Sequence, residues 1–288
     1  MVKSFRPHSL TEALSLRKEN DCIPFAGGTD LMVKYKSWTG IPPAFPRDVL
    51  FLSHLEELRH IEKRREVLVI GSGVSLSQVA KYPDTPEILR EAVLSIAAPA
   101  IRNIATLAGN VCNASPAGDS ICALYSLDAR VEVRSLEAVR EIPIMSFITG
   151  PGQTILKRDE IVNAIIVPLR KSNINVFKKV GTRKANALAK LSFAAVGEVK
   201  GGIVDGVAIS FGAVGPTVVR STELEKKIVG KPVAELEAQI PLLIDDYGAM
   251  IVPIDDQRST AAYRKQVALN LLENFLRNRL DDFARHHE

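Results

Sequence analysis

A chain of 288 residues, 46% apolar and 24% charged, has the composition of an ordinary globular protein and the length for two or three subdomains. Its net charge of +4 is slight, and its densest basic knot, Lys63-Arg64-Arg65, is flanked by Glu62 and Glu66, which reads as a hairpin tip or solvated face rather than a nucleic-acid stripe. No run approaches the ~20 apolar residues of a membrane span, and Cys22, Cys112 and Cys122 form no CxxC pair, as expected of reduced thiols in a cytoplasmic protein. The residues after Met1 form no apolar export segment. The five histidines, His286 and His287 among them, show no ligand spacing, so no metal is expected on this chain.

In chain order, Ser9-Leu10-Thr11-Glu12 is a capping box opening a helix with Leu10, Ala13, Leu14 and Leu16 on its apolar face. Phe5 before it and Ile23 to Phe25 after it are strand ends of a small βαβ unit. Pro42, Pro43 and Pro46 make the following stretch a loop, and Val49 to Leu52 is a short buried strand. The first subdomain ends near Leu55 to His60. Val67 to Gly71 is the next strand, Ser75 to Ala80 a short helix and Pro86 to Ala98 a longer one. Ala123 to Leu127 is helical, and Ala129 to Arg134 alternates as a half-buried strand does. Glu160 to Val167 is a strand closed by Pro168.

From Val176 the pattern changes. Val176 to Val180, Lys190 to Val199 and Ile203 to Val214 read as strands, the last two joined at Lys200-Gly201-Gly202 by a hairpin. Two helical stretches follow. The clearest is at the end, where Leu269, Leu272, Leu276, Leu280 and Phe283 recur at spacings of three and four, with Leu271 and Phe275 alongside.

Two stretches carry chemistry. Phe25-Ala26-Gly27-Gly28-Thr29-Asp30-Leu31 places adjacent glycines before a helix start, with Thr29 and Asp30 as capping side chains. Bare backbone there approaches a ligand closely, and free N–H groups at a helix start form a ready anion site, for which a diphosphate is the obvious guest. Ile101 to Asp119 is rich in small and hydrogen-bonding residues and carries only Arg102 and Asp119 as charges. A segment so apolar is either a tightly packed turn region or backbone pressed against a ligand.

Taken together, Ala26-Gly27-Gly28-Thr29-Asp30-Leu31 and Thr106-Leu107-Ala108-Gly109-Asn110, with the trailing Asn113 to Asp119, resemble the FAD-binding subunit of the molybdenum hydroxylases, the family of xanthine, carbon monoxide and nicotinate dehydrogenases. Ile101-Arg102-Asn103, Gly150-Pro151-Gly152, Phe211 to Thr217 and Tyr263-Arg264 extend the likeness over nearly the whole chain. It implies an α+β protein: an FAD-binding fold of the vanillyl-alcohol oxidase group, made of two α/β subdomains (1–56 and 57–172) with FAD lying between them, then a C-terminal subdomain of antiparallel sheet and helices (173–288).

The resemblance also implies site residues. Ile23, Pro24, Phe25, Ala26, Gly27, Gly28, Thr29 and Asp30 match the segment whose amides hold the pyrophosphate, and Thr106, Leu107, Ala108, Gly109 and Asn110 match the segment that closes on it from the other subdomain. Asp119, nine residues after Asn110, matches a carboxylate that bonds FAD hydroxyls. Ile96, Val162 and Lys178 fall at further contact positions, and Leu188 is assigned the apolar contact near the flavin ring. Asp119 also reads as a helix N-cap and Lys178 as a solvated strand residue. Ala108 departs from the family, which usually has glycine; a methyl there is tolerated if φ is negative. No side chain is assigned a catalytic role, and no histidine lies near either motif to tether the flavin, so FAD is expected to be non-covalent. The implied partners are a molybdopterin-binding large subunit and a small subunit with two [2Fe–2S] clusters, molybdenum and clusters residing on those subunits only, with NAD as a candidate acceptor. Two rival readings are a self-contained flavin oxidase, for which the chain after Val176 offers few titratable groups, and a non-catalytic nucleotide-binding protein.

Overall fold

Ser9 Oγ accepts the Glu12 N–H and so opens helix α1 (Leu10–Glu19), as the capping box predicts. The Glu12 carboxylate reaches one residue further back than the box requires, to His8 N–H. In this computed structural model, which describes residues 2–280, α1 joins β1 (Ser4–Phe5) to β2 (Cys22–Phe25). Helix α2 (Thr29–Lys34) follows, and β3 (Asp48–Phe51) inserts between the first two strands as a parallel sheet of order β1-β3-β2. Leu10, Ala13 and Leu14 pack with Leu50, Leu52, Leu55 and Leu58. Pro24 lies on the edge strand, where the missing N–H breaks no ladder.

A second sheet of order β4-β5-β10-β6-β7, antiparallel throughout, is built from β4 (Ile61–Arg64), β5 (Val67–Gly71), β6 (Arg130–Arg134), β7 (Val139–Pro143) and β10 (Ile161–Pro168). α3 (Leu76–Lys81) starts at a full capping box of Ser75 and Gln78. The single helix expected over 86–98 is two: α4 (Glu87–Leu94) and α5 (Pro99–Arg102), because Ala97 takes a φ of +45° and Pro99 restarts the helix at its first position. α6 (Leu107–Asn113) and α7 (Asp119–Ser126) follow. α7 begins well before the expected Ala123, and all its residues are buried, so no amphipathic period marks it. Small elements α8 (Ile144–Phe147), β8 (Ile148–Gly150) and β9 (Gln153–Thr154) precede β10.

The last sheet, β11-β12-β13-β14, comprises β11 (Ile174–Val180), β12 (Leu191–Lys200), β13 (Ile203–Gly212) and β14 (Val219–Arg220). Gly201 and Gly202, at φ +53° and +72°, make the two-residue turn between β12 and β13. Among the described residues four α-helices follow: α9 (Thr222–Lys226), α10 (Val233–Leu236), α11 (Ile240–Met250) and α12 (Ala261–Asn274). β12 is buried on both faces. Phe193 stacks at 6.0 Å on Phe275 beyond α12, whereas Ser210 on β13 meets Cys122 of α7. Beyond Asn274 the chain forms a π-helical turn, Phe275–Arg279. Ala268, Leu272, Phe275, Leu276 and Leu280 are buried, while Leu269 and Leu271 are only partly so. The expected core residue Phe283, with His286 and His287, lies outside the described residues.

The chain divides into two compact units that cut across the expected 1–56, 57–172 and 173–288. The first comprises Met1–Thr85, Ala98–Ala114 and Asp128–Pro168, and the second Pro86–Ala97, Ser115–Leu127 and Leu169–Glu288. α4 and α7 thus join the C-terminal unit, because their apolar surfaces pack on β11, β12 and β13.

Candidate functional site

In the first unit, β2 ends at Phe25 and the chain turns through Ala26, Gly27 and Gly28 into α2. Gly28, at φ +69°, is the N-cap of α2 and supplies no side-chain cap, so Thr29 and Asp30 do not cap the helix as expected. A Cβ on Gly28 would lie 2.0 Å from the Phe25 ring, and one on Gly27 would lie 2.1 Å from the Ile104 carbonyl oxygen. Both positions therefore demand glycine. The N–H groups of Gly27, Gly28, Thr29 and Asp30 have no acceptor among the described residues. Four such donors in succession at a helix start present positive dipole ends to an anion without any lysine among them.

The second motif also proves to be a helix start. Thr106 caps α6 by accepting the Gly109 N–H at 3.0 Å. Ala108 sits in the first turn of α6, is 3% exposed and is absent from the positive-φ residues, so the methyl group fits where glycine was expected. Its N–H has no acceptor among the described residues. Asn110 is half-buried in the next turn. Because Gly27 lies against Ile104 and Ala105, the two motif segments meet within one unit. Val162 is a core residue of β10, paired with Val133 beside a bulge.

In the second unit Asp119 is the first residue of α7, and Gly118 rather than Asp119 occupies the N-cap. The Asp119 side chain is 6% exposed. Its Oδ2 accepts from Lys179 Nζ at 2.7 Å, and the same ammonium donates to Ser95 O at 2.9 Å. Asp119 Oδ1 is buried with no partner. Burial pushes the carboxyl up to about 6 against the pull of Lys179. Ile96 follows Ser95 directly, which places it beside this pair in the chain. Lys178 is exposed on β11. The lysine brought to Asp119 is its neighbour Lys179, which the sequence reading missed; adjacent strand residues point to opposite faces, and only the packing of β11 selects one. Leu188, 70% exposed, lies between β11 and β12.

In the first unit the unbonded amide row, beside glycines that admit no side chain, fits a diphosphate; in the second, the orphaned buried carboxylate oxygen fits a hydroxyl. The family described as the FAD binding domain in molybdopterin dehydrogenase matches residues 1–170, and the CO dehydrogenase flavoprotein C-terminal domain matches residues 176–279. This chain belongs to that flavoprotein family. It is 30% identical over 268 residues to the putative xanthine dehydrogenase FAD-binding subunit of Escherichia coli K12, covering 90% of this chain and 89% of the relative. It is 28% identical to the glyceraldehyde dehydrogenase medium chain of Sulfolobus acidocaldarius (91% and 92% covered) and 26% identical to the nicotinate dehydrogenase FAD-subunit of Eubacterium barkeri (96% and 95% covered). A chain of Cu,Mo-CO dehydrogenase superposes with a TM-score of 0.88 at 24% identity, over 97% of this chain and 98% of the other, and so shares the fold. FAD is the cofactor of this flavoprotein subunit, and the chain is an oxidoreductase component. Cys22, Cys112 and Cys122 are free thiols; among the described residues no group of three or more ligands is placed to hold a metal, and no helix is long and apolar enough to cross a membrane.

Proposed function

We propose that this chain is the electron-transfer subunit of a cytoplasmic molybdenum-dependent hydroxylase. A large subunit would carry the molybdenum cofactor and a small subunit the [2Fe–2S] clusters, and electrons would leave through FAD to NAD or another acceptor. Support comes from the names of the relatives, which are FAD subunits and medium chains of xanthine, nicotinate and glyceraldehyde dehydrogenases. When bound, FAD supplies two-electron redox chemistry.

The chain's own residues bind and orient the cofactor. The amides from Gly27 to Asp30, with that of Ala108, would neutralise the diphosphate by dipoles. Asp119 Oδ1 would accept a hydroxyl, since a carboxylate facing phosphate would repel it, while Lys179 holds Oδ2. Ile23, Pro24, Phe25 and Ala26 shape the approach to the turn; Thr106, Leu107, Gly109 and Asn110 shape the opposing helix start. Ile96, Val162, Lys178 and Leu188 are the outer contacts. No side chain acts as general acid or base.

The observation that carries this reading is the unbonded amide row at Gly27 to Asp30. The chain purified with FAD is expected to be yellow and to release all of its flavin on acid precipitation, the mark of non-covalent binding. A colourless protein that leaves FAD fluorescence unchanged on titration would overturn it.

A further inference from the structure

No residue from 24 to 48 is buried, yet this stretch includes Met32, Val33, Trp38 and Ile41, which are 44%, 68%, 84% and 57% exposed. FAD accounts for its beginning, at the glycine turn. Among the described residues nothing covers the rest. α2 buries none of its residues, and a helix of two turns has little stability without packing. The loop beyond it is nonetheless held in shape. Ala44 N–H returns to Tyr35 O at 2.9 Å, the Phe45 ring lies 5.2 Å from that of Tyr35 and 6.2 Å from that of Phe25, and Ile41 N–H bonds Trp38 O. Pro42, Pro43 and Pro46 restrict its alternatives. A fixed base with an indole at its tip is the form of an interface anchor, since Trp is among the residues that carry most binding energy. Exposed apolar side chains gathered along one short segment are the raw material of a binding face.

We propose that α2 and the loop to Arg47 are the docking arm for the iron–sulfur subunit of the complex. Trp38 enters an apolar pocket of that subunit, and carboxylates on the pocket rim face Lys34 and Lys36. This rests on the function proposed above. Charge selects the occupant. Across α2 and the loop, residues 29–47, Lys34, Lys36 and Arg47 stand against one acidic residue, Asp30 in the first turn of α2. Arg47 is paired with Asp21, Lys34 lies over the Tyr35 ring at 5.5 Å, and Lys36 has no ion-pair partner among the described residues. In a two-fold contact between copies the same patch faces itself, setting Lys34 and Lys36 against their own like charges. A membrane surface gains only about 1 kcal/mol per lysine, which with a single exposed indole is a poor anchor. An acidic-rimmed protein pocket satisfies both features. The arm also leaves directly from the FAD turn, so an electron donor seated on it stays beside the cofactor, whereas a diffusing acceptor needs no lasting apolar contact.

Trp38 is the sole tryptophan, so growth of this chain alone on 5-fluorotryptophan labels one site. The FAD-loaded chain is mixed with the purified [2Fe–2S] subunit, and the fluorine resonance and its solvent isotope shift are recorded. The proposal predicts that the resonance moves and loses its solvent shift on assembly. Trp38→Ala, and Lys34→Glu combined with Lys36→Glu, weaken assembly at least about tenfold, Trp38→Phe recovers most of it, and FAD content stays unchanged in all. Assembly with an unmoved resonance, wild-type assembly of the variants, a shift that follows this chain's own concentration, or one produced by phosphatidylserine vesicles and not by the subunit overturns the docking arm alone. A chain that neither retains FAD nor joins the iron–sulfur subunit overturns the functional reading together with it.

Discussion

The Gly27 turn of the first unit and the Asp119–Lys179 pair of the second present polar groups by different physical means. The turn uses main-chain N–H groups at a helix start, which carry no titratable proton and cannot be removed by side-chain substitution. The pair uses full charges out of water, 6% and 13% exposed, whose mutual attraction offsets a desolvation cost and whose balance shifts with pH. A backbone site is broken by adding atoms; a buried ion pair is broken by removing them or by protonation.

The largest effect is expected from Gly27→Ala. The new methyl would sit 2.1 Å from the Ile104 oxygen, forcing the two motif segments apart. FAD affinity, followed by fluorescence titration, should fall about 100-fold, close to 3 kcal/mol, with a further ~1–3 kcal/mol lost from the fold as overpacking. Lys179→Met comes next. It leaves Asp119 buried without its counter-charge, raises its carboxyl above about 6, and should cost roughly 3 kcal/mol in urea unfolding at neutral pH, less in acid, where the carboxyl is neutral.

Legibility followed the same division. The glycine turn was readable because Gly-Gly before a helix is a local signal, and the hairpin at Gly201-Gly202 and the Ser9 cap were readable for the same reason. α7 was read too short because burial on all sides erases the helical period that sequence reading depends on. The break at Ala97 was invisible, since alanine at φ +45° has no compositional mark. Lys179 illustrates a strand limit: which of two adjacent lysines meets a buried carboxylate is a choice of face, settled only by what packs there. The recruitment of α4 and α7 into the second unit is a tertiary matter that no local pattern announces.

Asp119 gives a pH test of intermediate size. Its carboxyl is raised from 3.8 to about 6, so the folded apoprotein binds this proton more tightly than the unfolded chain. The resulting stabilisation is fully present below pH 3.8 and is lost as pH rises through about 6, a contribution of ~2–3 kcal/mol. Asp119→Asn should flatten that part of the pH–stability curve measured by denaturant melts. The smallest effect is expected from Ala108→Gly. Removing a buried methyl from a helical residue should cost about 1 kcal/mol and leave FAD affinity within twofold or so, because the N–H stays in place.

The central claim is that main-chain amides grip the cofactor, and amide proton spectra of the labelled chain with and without FAD test it most directly. The resonances of Gly27, Gly28, Thr29, Asp30 and Ala108 are expected to move downfield and their exchange with water to slow when FAD is added. Saturating FAD that leaves these five amides exchanging at their free rate would contradict the account.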